Sequence, residues 1–253
     1  MEQIEQDNVL APHPRLGRVQ RIQVINGKVK TRLRVVRDQI HDPILTVLTV
    51  LLAFLIFVVV PLHASGVVSA QGYDLAIVLV LASCVLVQSK TLMAMLVIML
   101  AVGLAVAAII FRLKLDSTLD IYLAAGACLT IGALLIFVIA RAVFAPGRVT
   151  YHRINGAVLL YLTIGLTFVA LFTFVGLLAP NSFSGLSIAD SPALASNLIY
   201  FSFVTLTSTG YGDIVPVHPM ARAFSNLEGI IGQLYPATLL ARLVTLELEG
   251  RRK

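Results

Sequence analysis

Ser208-Thr209-Gly210-Tyr211-Gly212-Asp213 decides how this chain is read. It follows the aromatic, amphipathic run Asn197-Leu198-Ile199-Tyr200-Phe201-Ser202-Phe203-Val204-Thr205-Leu206-Thr207, and apolar, nearly charge-free spans lie on both sides. Glycine tolerates φ > 0, so alternate residues of such a stretch can turn their carbonyls toward one axis. Irregular backbone at membrane depth persists only where protein buries it or where it lines a wet cavity. Rings of backbone carbonyls can replace the water around a cation.

The composition sets the same environment. Of 253 residues, 58% are hydrophobic and 13% are charged, whereas a soluble domain carries about a quarter charged residues. Mean hydropathy is +0.92. The net charge of +6 is not a nucleic-acid signal, because the basic residues flank hydrophobic spans, where they set orientation. The N-terminus lacks a signal-peptide pattern. Cys84 and Cys128 lie inside apolar runs and read as free thiols rather than a disulfide.

A membrane-crossing helix needs about 20 mostly apolar residues. Six spans fit: Pro43 to Leu62, Leu75 to Val87, Leu92 to Phe111, Ile121 to Val143, Ala157 to Leu178, and Ala221 to Val244. The second is short. The loop His63 to Asp74 has no Lys or Arg and is placed outside, as is the Ser- and Pro-rich loop Ala179 to Ser191. Both termini are then cytoplasmic. The stretch from Pro192 to Thr207 is too short and polar to cross. It reads as a re-entrant helix with Asp190 or Ser191 as N-cap and Pro192 in its first turn. Residues 1–42 form a basic cytoplasmic segment, with a turn at Asn26-Gly27 and a short surface helix over Val29 to Ile40. That segment reads as a topological anchor rather than a lipid sensor. The chain thus divides into 1–42, a four-helix region at 43–145, a pore domain at 146–246 and a short cytoplasmic tail at 247–253.

The fourth span separates two kinds of first domain. A voltage sensor carries several arginines across the field, each worth about 2.3 kcal/mol per 100 mV. Ile121 to Ala140 has none, and Arg141 stands at the end.

With Pro216 three residues beyond Asp213, an aromatic amphipathic stretch before Gly210-Tyr211-Gly212 and a span on each side, Val149 to about Val244 resembles the bacterial potassium channel family of the two-helix pore type. The resemblance implies an all-α integral membrane protein in a cell (inner or plasma) membrane. It also implies a homotetramer, since the filter stretch occurs once per chain. Its partners would be further copies, membrane lipid and potassium as the permeant ion, with no nucleic acid, no cofactor and no reaction catalysed. By the same resemblance the carbonyls of Ser208, Thr209, Gly210 and Tyr211 coordinate K+ and Gly212 completes the filter. Asp213, Tyr200, Phe201 and Thr205 support it, with Tyr200 and Phe201 as paired aromatics of a cuff. Gly232, Gln233, Pro236 and Leu240 belong to the cavity and gate, Gly232 as a hinge. Two departures stand out: Ser208-Thr209 replaces Thr-Val, so the Thr209 hydroxyl needs a partner, and Val204 stands where some relatives carry a carboxylate, so Asp213 must find another partner or water.

The last span carries Asn226, Glu228, Gln233 and Tyr235, and polar groups at this depth are functional candidates. Asn226, Gln233 and Leu240 recur at seven-residue steps on one face, turned toward the pore by the alignment. Glu228, Gly232 and Tyr235 share another. Glu228 reads either as a proton-sensitive switch or, preferred, as a carboxyl bonded to a hydroxyl such as Thr205 or Ser202. Pro236 removes a backbone donor and is expected to bend the span. His152 and His218 read as solvated. The function expected is a passive potassium-selective channel without voltage-sensor charges. The alternatives are a weakly selective sodium and potassium channel, or a non-conducting regulator with a pore-like core.

Overall fold

The computed structural model describes residues 44–67, 73–88, 91–114, 119–143, 151–188 and 193–251. The expected surface helix Val29 to Ile40 and the residues Asp190, Ser191 and Pro192 lie outside these, as does the side chain of His152. The described chain is almost wholly helical. Helix α1 covers Ile44–Ala64, followed by α2 (Tyr73–Gln88), α3 (Leu92–Lys114), α4 (Leu119–Val143) and α5 (Tyr151–Leu178). Strand β1 (Phe183–Ser184), helix α6 (Leu194–Leu206), strand β2 (Val215–Pro216) and helix α7 (Pro219–Arg251) complete it.

Long runs of Leu, Ala, Val and Ile without interior glycine clusters make these helices. The exception in geometry is α1, which widens to a π-helix over Leu55–Val59, so that the Val60 N–H bonds the Leu55 carbonyl. Pro61 follows and has no N–H to give, and a local π-turn is one way a helix absorbs such a loss.

Among the described residues, four helices are long and apolar enough to cross a membrane: Ile44–Ala64, Leu92–Leu113, Leu119–Arg141 and Ile154–Leu178. Helix α2 has 16 residues, about 24 Å at 1.5 Å per residue, short of a hydrocarbon core of about 30 Å. Helix α7 has length to spare at 33 residues, but it carries Arg222, Asn226, Glu228 and Gln233. It is built to face protein more than lipid.

Helices α2, α3 and α4 pack on one another, and α4 lies along α5. Ile131, Leu135, Ile139, Leu159 and Leu166 are fully buried. On the far side, Leu92, Met93 and Met99 of α3 are each 72% exposed, as expected of a face solvated by acyl chains. Arg112 Nε reaches the buried Asp120 Oδ2 at 2.8 Å and ties the end of α3 to the start of α4. Arg141 sits with its guanidinium 5.3 Å from the Phe137 ring centre. Cys84 and Cys128 are not joined in a disulfide, and Cys128 Sγ lies 3.7 Å from Leu166 O. Helix α1 touches α6 through Phe57 and Phe203, edge to face at 5.1 Å.

Candidate functional site

Helix α6 is the short element that the sequence reads as re-entrant. It begins at Leu194 with Ala193 in the N-cap position and no side-chain cap, which moves the start inward from the expected Asp190 or Ser191. Its C-terminal carbonyls, which a helix end leaves without partners, are taken up by the loop that follows. Thr207 N bonds Phe203 O at 3.0 Å, Ser208 N bonds Thr205 O at 2.9 Å, and Thr209 N bonds Val204 O at 2.9 Å. Thr205 therefore supports the loop through its backbone. The loop is wound directly off the helix.

From there every second residue turns left-handed: Ser208 at φ 56, Gly210 at φ 56 and Gly212 at φ 81. Two of the three are glycines, which adopt this region freely. Ser208 does so at a cost of about 1–2 kcal/mol. The Thr209 hydroxyl finds its partner locally: its Oγ1 lies 2.9 Å from Thr207 Oγ1, and Thr207 in turn donates to Phe203 O at 2.7 Å. Residues 208–213 are all exposed in the single chain.

The two expected cuff aromatics part company. Tyr200 stacks on Tyr211 with ring centres 6.2 Å apart and planes 5° from parallel, and its hydroxyl interacts with the Asp213 carboxylate. That interaction answers the missing carboxylate at Val204. Phe201 instead turns into the core, edge to face with Phe172 at 4.9 Å and with Phe183 at 5.4 Å. Phe183 belongs to β1, so the loop between α5 and α6 is anchored by the same cluster.

That loop is more than a linker. Strand β1 pairs antiparallel with β2 just beyond Asp213, Phe183 opposite Pro216 and Ser184 opposite Val215. Ser182 O accepts from Val217 N at 2.9 Å and His218 N at 3.2 Å. Gly185, at φ 80, lies so close to the Asp213 carbonyl that a Cβ would overlap it. Arg222 Nε donates to Pro216 O at 3.1 Å. The far end of the Gly-Tyr-Gly stretch is thereby fastened to α5's exit loop and to α7.

Behind the stretch, α5, α6 and α7 meet in three polar rungs. In the first, Ser202 Oγ lies 2.9 Å from Gly165 O of α5 and 2.5 Å from Glu228 Oε1 of α7. In the second, the Tyr161 hydroxyl donates to Leu206 O at 3.4 Å, while Gly232 lies so near that carbonyl that a Cβ would collide with it. In the third, the Tyr235 hydroxyl donates to Ala157 O at 2.8 Å, and its ring stacks on Tyr161 at 5.8 Å. The positions recur by helical spacing: Ala157, Tyr161 and Gly165 on α5; Ser202 and Leu206 on α6; Glu228 and Gly232 on α7. Of the two hydroxyls proposed for Glu228, Ser202 is the one in contact.

The two faces of α7 separate. Glu228 and Gly232 are buried and Tyr235 half-buried, whereas Asn226, Gln233, Pro236 and Leu240 are exposed in the single chain. The helix continues through Pro236, whose missing N–H is the one that would bond the Gly232 carbonyl. His218 has a local role: its Nδ1 accepts from Met220 N at 3.3 Å at the head of α7. Tyr161, Thr207, Ser182 and Gly185 are the residues that sequence reasoning passed over. Only Tyr161 carried a signal, a hydroxyl inside an otherwise apolar span.

Residues 158–248 match the family model Ion_trans_2, described as ion channel. The chain is 34% identical over 91 residues to two pore potassium channel c of Oryza sativa subsp. japonica, covering 36% of this chain and 18% of that protein. It is 35% identical over 66 residues to protein LctB of Bacillus caldotenax, covering 26% of this chain and 46% of that one. The chain thus spans less than half the length of either curated relative. No solved structure matches. The matched segment holds most of α5, all of α6, the Gly-Tyr-Gly stretch and most of α7, so residues 158–248 are similar to ion channel domains, and the resemblance to potassium channels is borne out over that segment. With its apolar helices, the chain is a multi-pass membrane protein bearing an ion channel domain.

Proposed function

We propose that the chain is one subunit of a homotetrameric, passive potassium-selective channel in a cell membrane, with six spans and both termini cytoplasmic. The carrying observation is the left-handed backbone at Ser208, Gly210 and Gly212, wound off the C-terminus of a buried re-entrant helix. Alternation of that kind turns successive carbonyls to one side, which is how a ring of such strands can replace an ion's hydration shell. The C-terminal, negative end of α6 favours a cation beside it. In this reading Ser208, Thr209, Gly210 and Tyr211 offer carbonyls to K+, Gly212 closes the stretch, and Asp213, Tyr200 and Thr205 brace it. Gln233 and Leu240 face the cavity.

Fourfold assembly is supported by what one chain leaves uncovered. Residues 208–213 and one face of α7, with Leu227, Ile230, Leu234 and Leu240, are exposed, although α7 carries too many polar groups for a lipid-facing span. Four copies around an axis would cover the apolar part and bring the four Gly-Tyr-Gly stretches together. The 43–145 region, lacking arginine across the field, acts as packing around the pore and not as a voltage sensor. Entry of ions needs no cofactor and no catalysed reaction.

A weakly selective cation pore is the second reading, favoured by Ser208-Thr209, where a hydroxyl pair takes the place of an apolar side chain. One measurement separates the two. Purified protein in a planar bilayer, with potassium on one side and sodium on the other, is expected to reverse near the potassium equilibrium potential, and to lose current on Gly210→Ala. Reversal near zero with robust current would establish the weakly selective pore. Absence of current across pH, lipid and tension would point to a non-conducting regulator.

A further inference from the structure

Ser202 stands between two acceptors, Gly165 O at 2.9 Å and Glu228 Oε1 at 2.5 Å. A hydroxyl carries one proton, so it can satisfy only one of them. The second proton has to come from the carboxyl. Glu228 and Ser202 are both 0% exposed within a single chain, so the site is dry before any other copy assembles. Among the described residues no lysine, arginine or histidine pairs with Glu228, and its Oε2 has no hydrogen-bond partner. The groups that face it are the Ser202 hydroxyl from α6 and, from α5, Tyr161, the titratable side chain close enough to feel its charge. An ionised carboxylate in such a place would be a buried charge without a counter-ion, which costs far more than a neutral acid short of one acceptor contact.

We infer that Glu228 is held as the neutral acid, donating from Oε1 to Ser202 Oγ while Ser202 donates to Gly165 O, and that this relay positions α6 between α5 and α7. Both contacts of the relay are then made with two protons, and Glu228 Oε2 alone lacks a partner. Ser202 lies one helical turn before Leu206, whose carbonyl is held by Tyr161 and abutted by Gly232. The relay therefore sets where the C-terminus of α6 stands, and with it the loop that begins at Thr207. Glu228 is a positioning residue, not an ion ligand. The positioning half of the inference rests on the conduction reading above; the proton half does not.

The test uses the full chain reconstituted in liposomes. Infrared difference spectra of wild type against Glu228→Gln are expected to show the carbonyl stretch of a protonated carboxylic acid in wild type and its loss in the variant. Glutamine keeps the shape and an N–H donor for Ser202, so E228Q is expected to keep potassium flux within about twofold. Glu228→Ala leaves Ser202 bonded to α5 alone and removes its link to α7, and flux is expected to fall at least about tenfold. If E228A does not assemble, E228Q and the spectra still decide. A wild-type spectrum with no protonated acid assignable to Glu228 overturns the proton assignment. An assembled E228Q as inactive as E228A overturns the positioning role, since the charge would then be what matters. If wild type passes no ions while the acid band is present, the conduction reading fails and the proton assignment stands.

Discussion

Gly232→Ala tests how α6 and α7 are held together. A Cβ at 232 would stand 2.7 Å from the Leu206 carbonyl carbon and 3.1 Å from its Cα, and would overlap the carbonyl oxygen itself. Carbon–carbon contacts settle near about 3.5–4.0 Å, so α7 and α6 must part by about an ångström. The obstacle is backbone on both sides and cannot swing away as a side chain can. Overpacking of this kind costs about 1–3 kcal/mol, while alanine gains about 1 kcal/mol over glycine in helix propensity. The expected balance is a loss of up to about 2 kcal/mol per chain. The structure supplies a control three residues away. A Cβ at Gly229 would meet only Thr205 O at 3.8 Å, an ordinary contact, so Gly229→Ala keeps the propensity gain. The two alanine variants of one helix should thus move stability in opposite directions. Thermal unfolding of detergent-solubilised protein, with potassium flux from liposomes alongside, reads both. Equal stability and flux for G232A and G229A would refute the close approach. A G232A protein of unchanged stability but altered open times would instead mark Gly232 as a hinge.

Further outcomes follow from the same contacts. Thr209→Val removes the hydroxyl bonded to Thr207, but Thr207 keeps its bond to Phe203 O; the change is expected to shift stability by no more than about 1 kcal/mol and to leave reversal potential at or nearer the potassium value. Phe201→Ala opens the cluster with Phe172 and Phe183 and is expected to cost about 3–5 kcal/mol, seen as loss of assembled protein on size-exclusion chromatography. Tyr235→Phe removes the hydroxyl that reaches Ala157 O; a loss of about 1 kcal/mol with flux retained is the expected thermal-shift and liposome result. Gly210→Ala forces an alanine to φ 56, a penalty of about 1–2 kcal/mol, and flux is expected to vanish even where folded protein is recovered.

Much of the architecture was legible in the chain because lipid imposes simple rules. A helix must satisfy its own backbone and present apolar side chains over about 20 residues, so the spans at Leu92, Ile121 and Ala157 could be found from hydropathy within a few residues of their observed ends. A short helix before the Gly-Tyr-Gly stretch was legible too, since a polar, aromatic stretch of its length is too short to cross. Its start was not: the Asp190, Ser191 and Pro192 cap pattern is local, and the described helix opens at Leu194 without a side-chain cap. Helices α2 and α7 fall short of the same rule, α2 in length and α7 in hydropathy, for a physical reason. Helices that lean on other protein need neither full length nor full hydrophobicity.

The Gly-Tyr-Gly stretch, the segment it organises and the two-faced last helix were decided by sequence alone, because glycine's access to φ > 0 and the helical repeat are local properties. Which groups meet across the fold was decided only in three dimensions. That Phe201 packs into the core, that Phe183–Ser184 pairs with Val215–Pro216, and that Ser202 rather than Thr205 takes Glu228 depend on how α5, α6 and α7 rotate about their axes. Residues as far apart as Tyr161 and Leu206 share no pattern in the chain. Their contact needs α5 and α6 in register, and a rotation of one helix by a single residue would remove it.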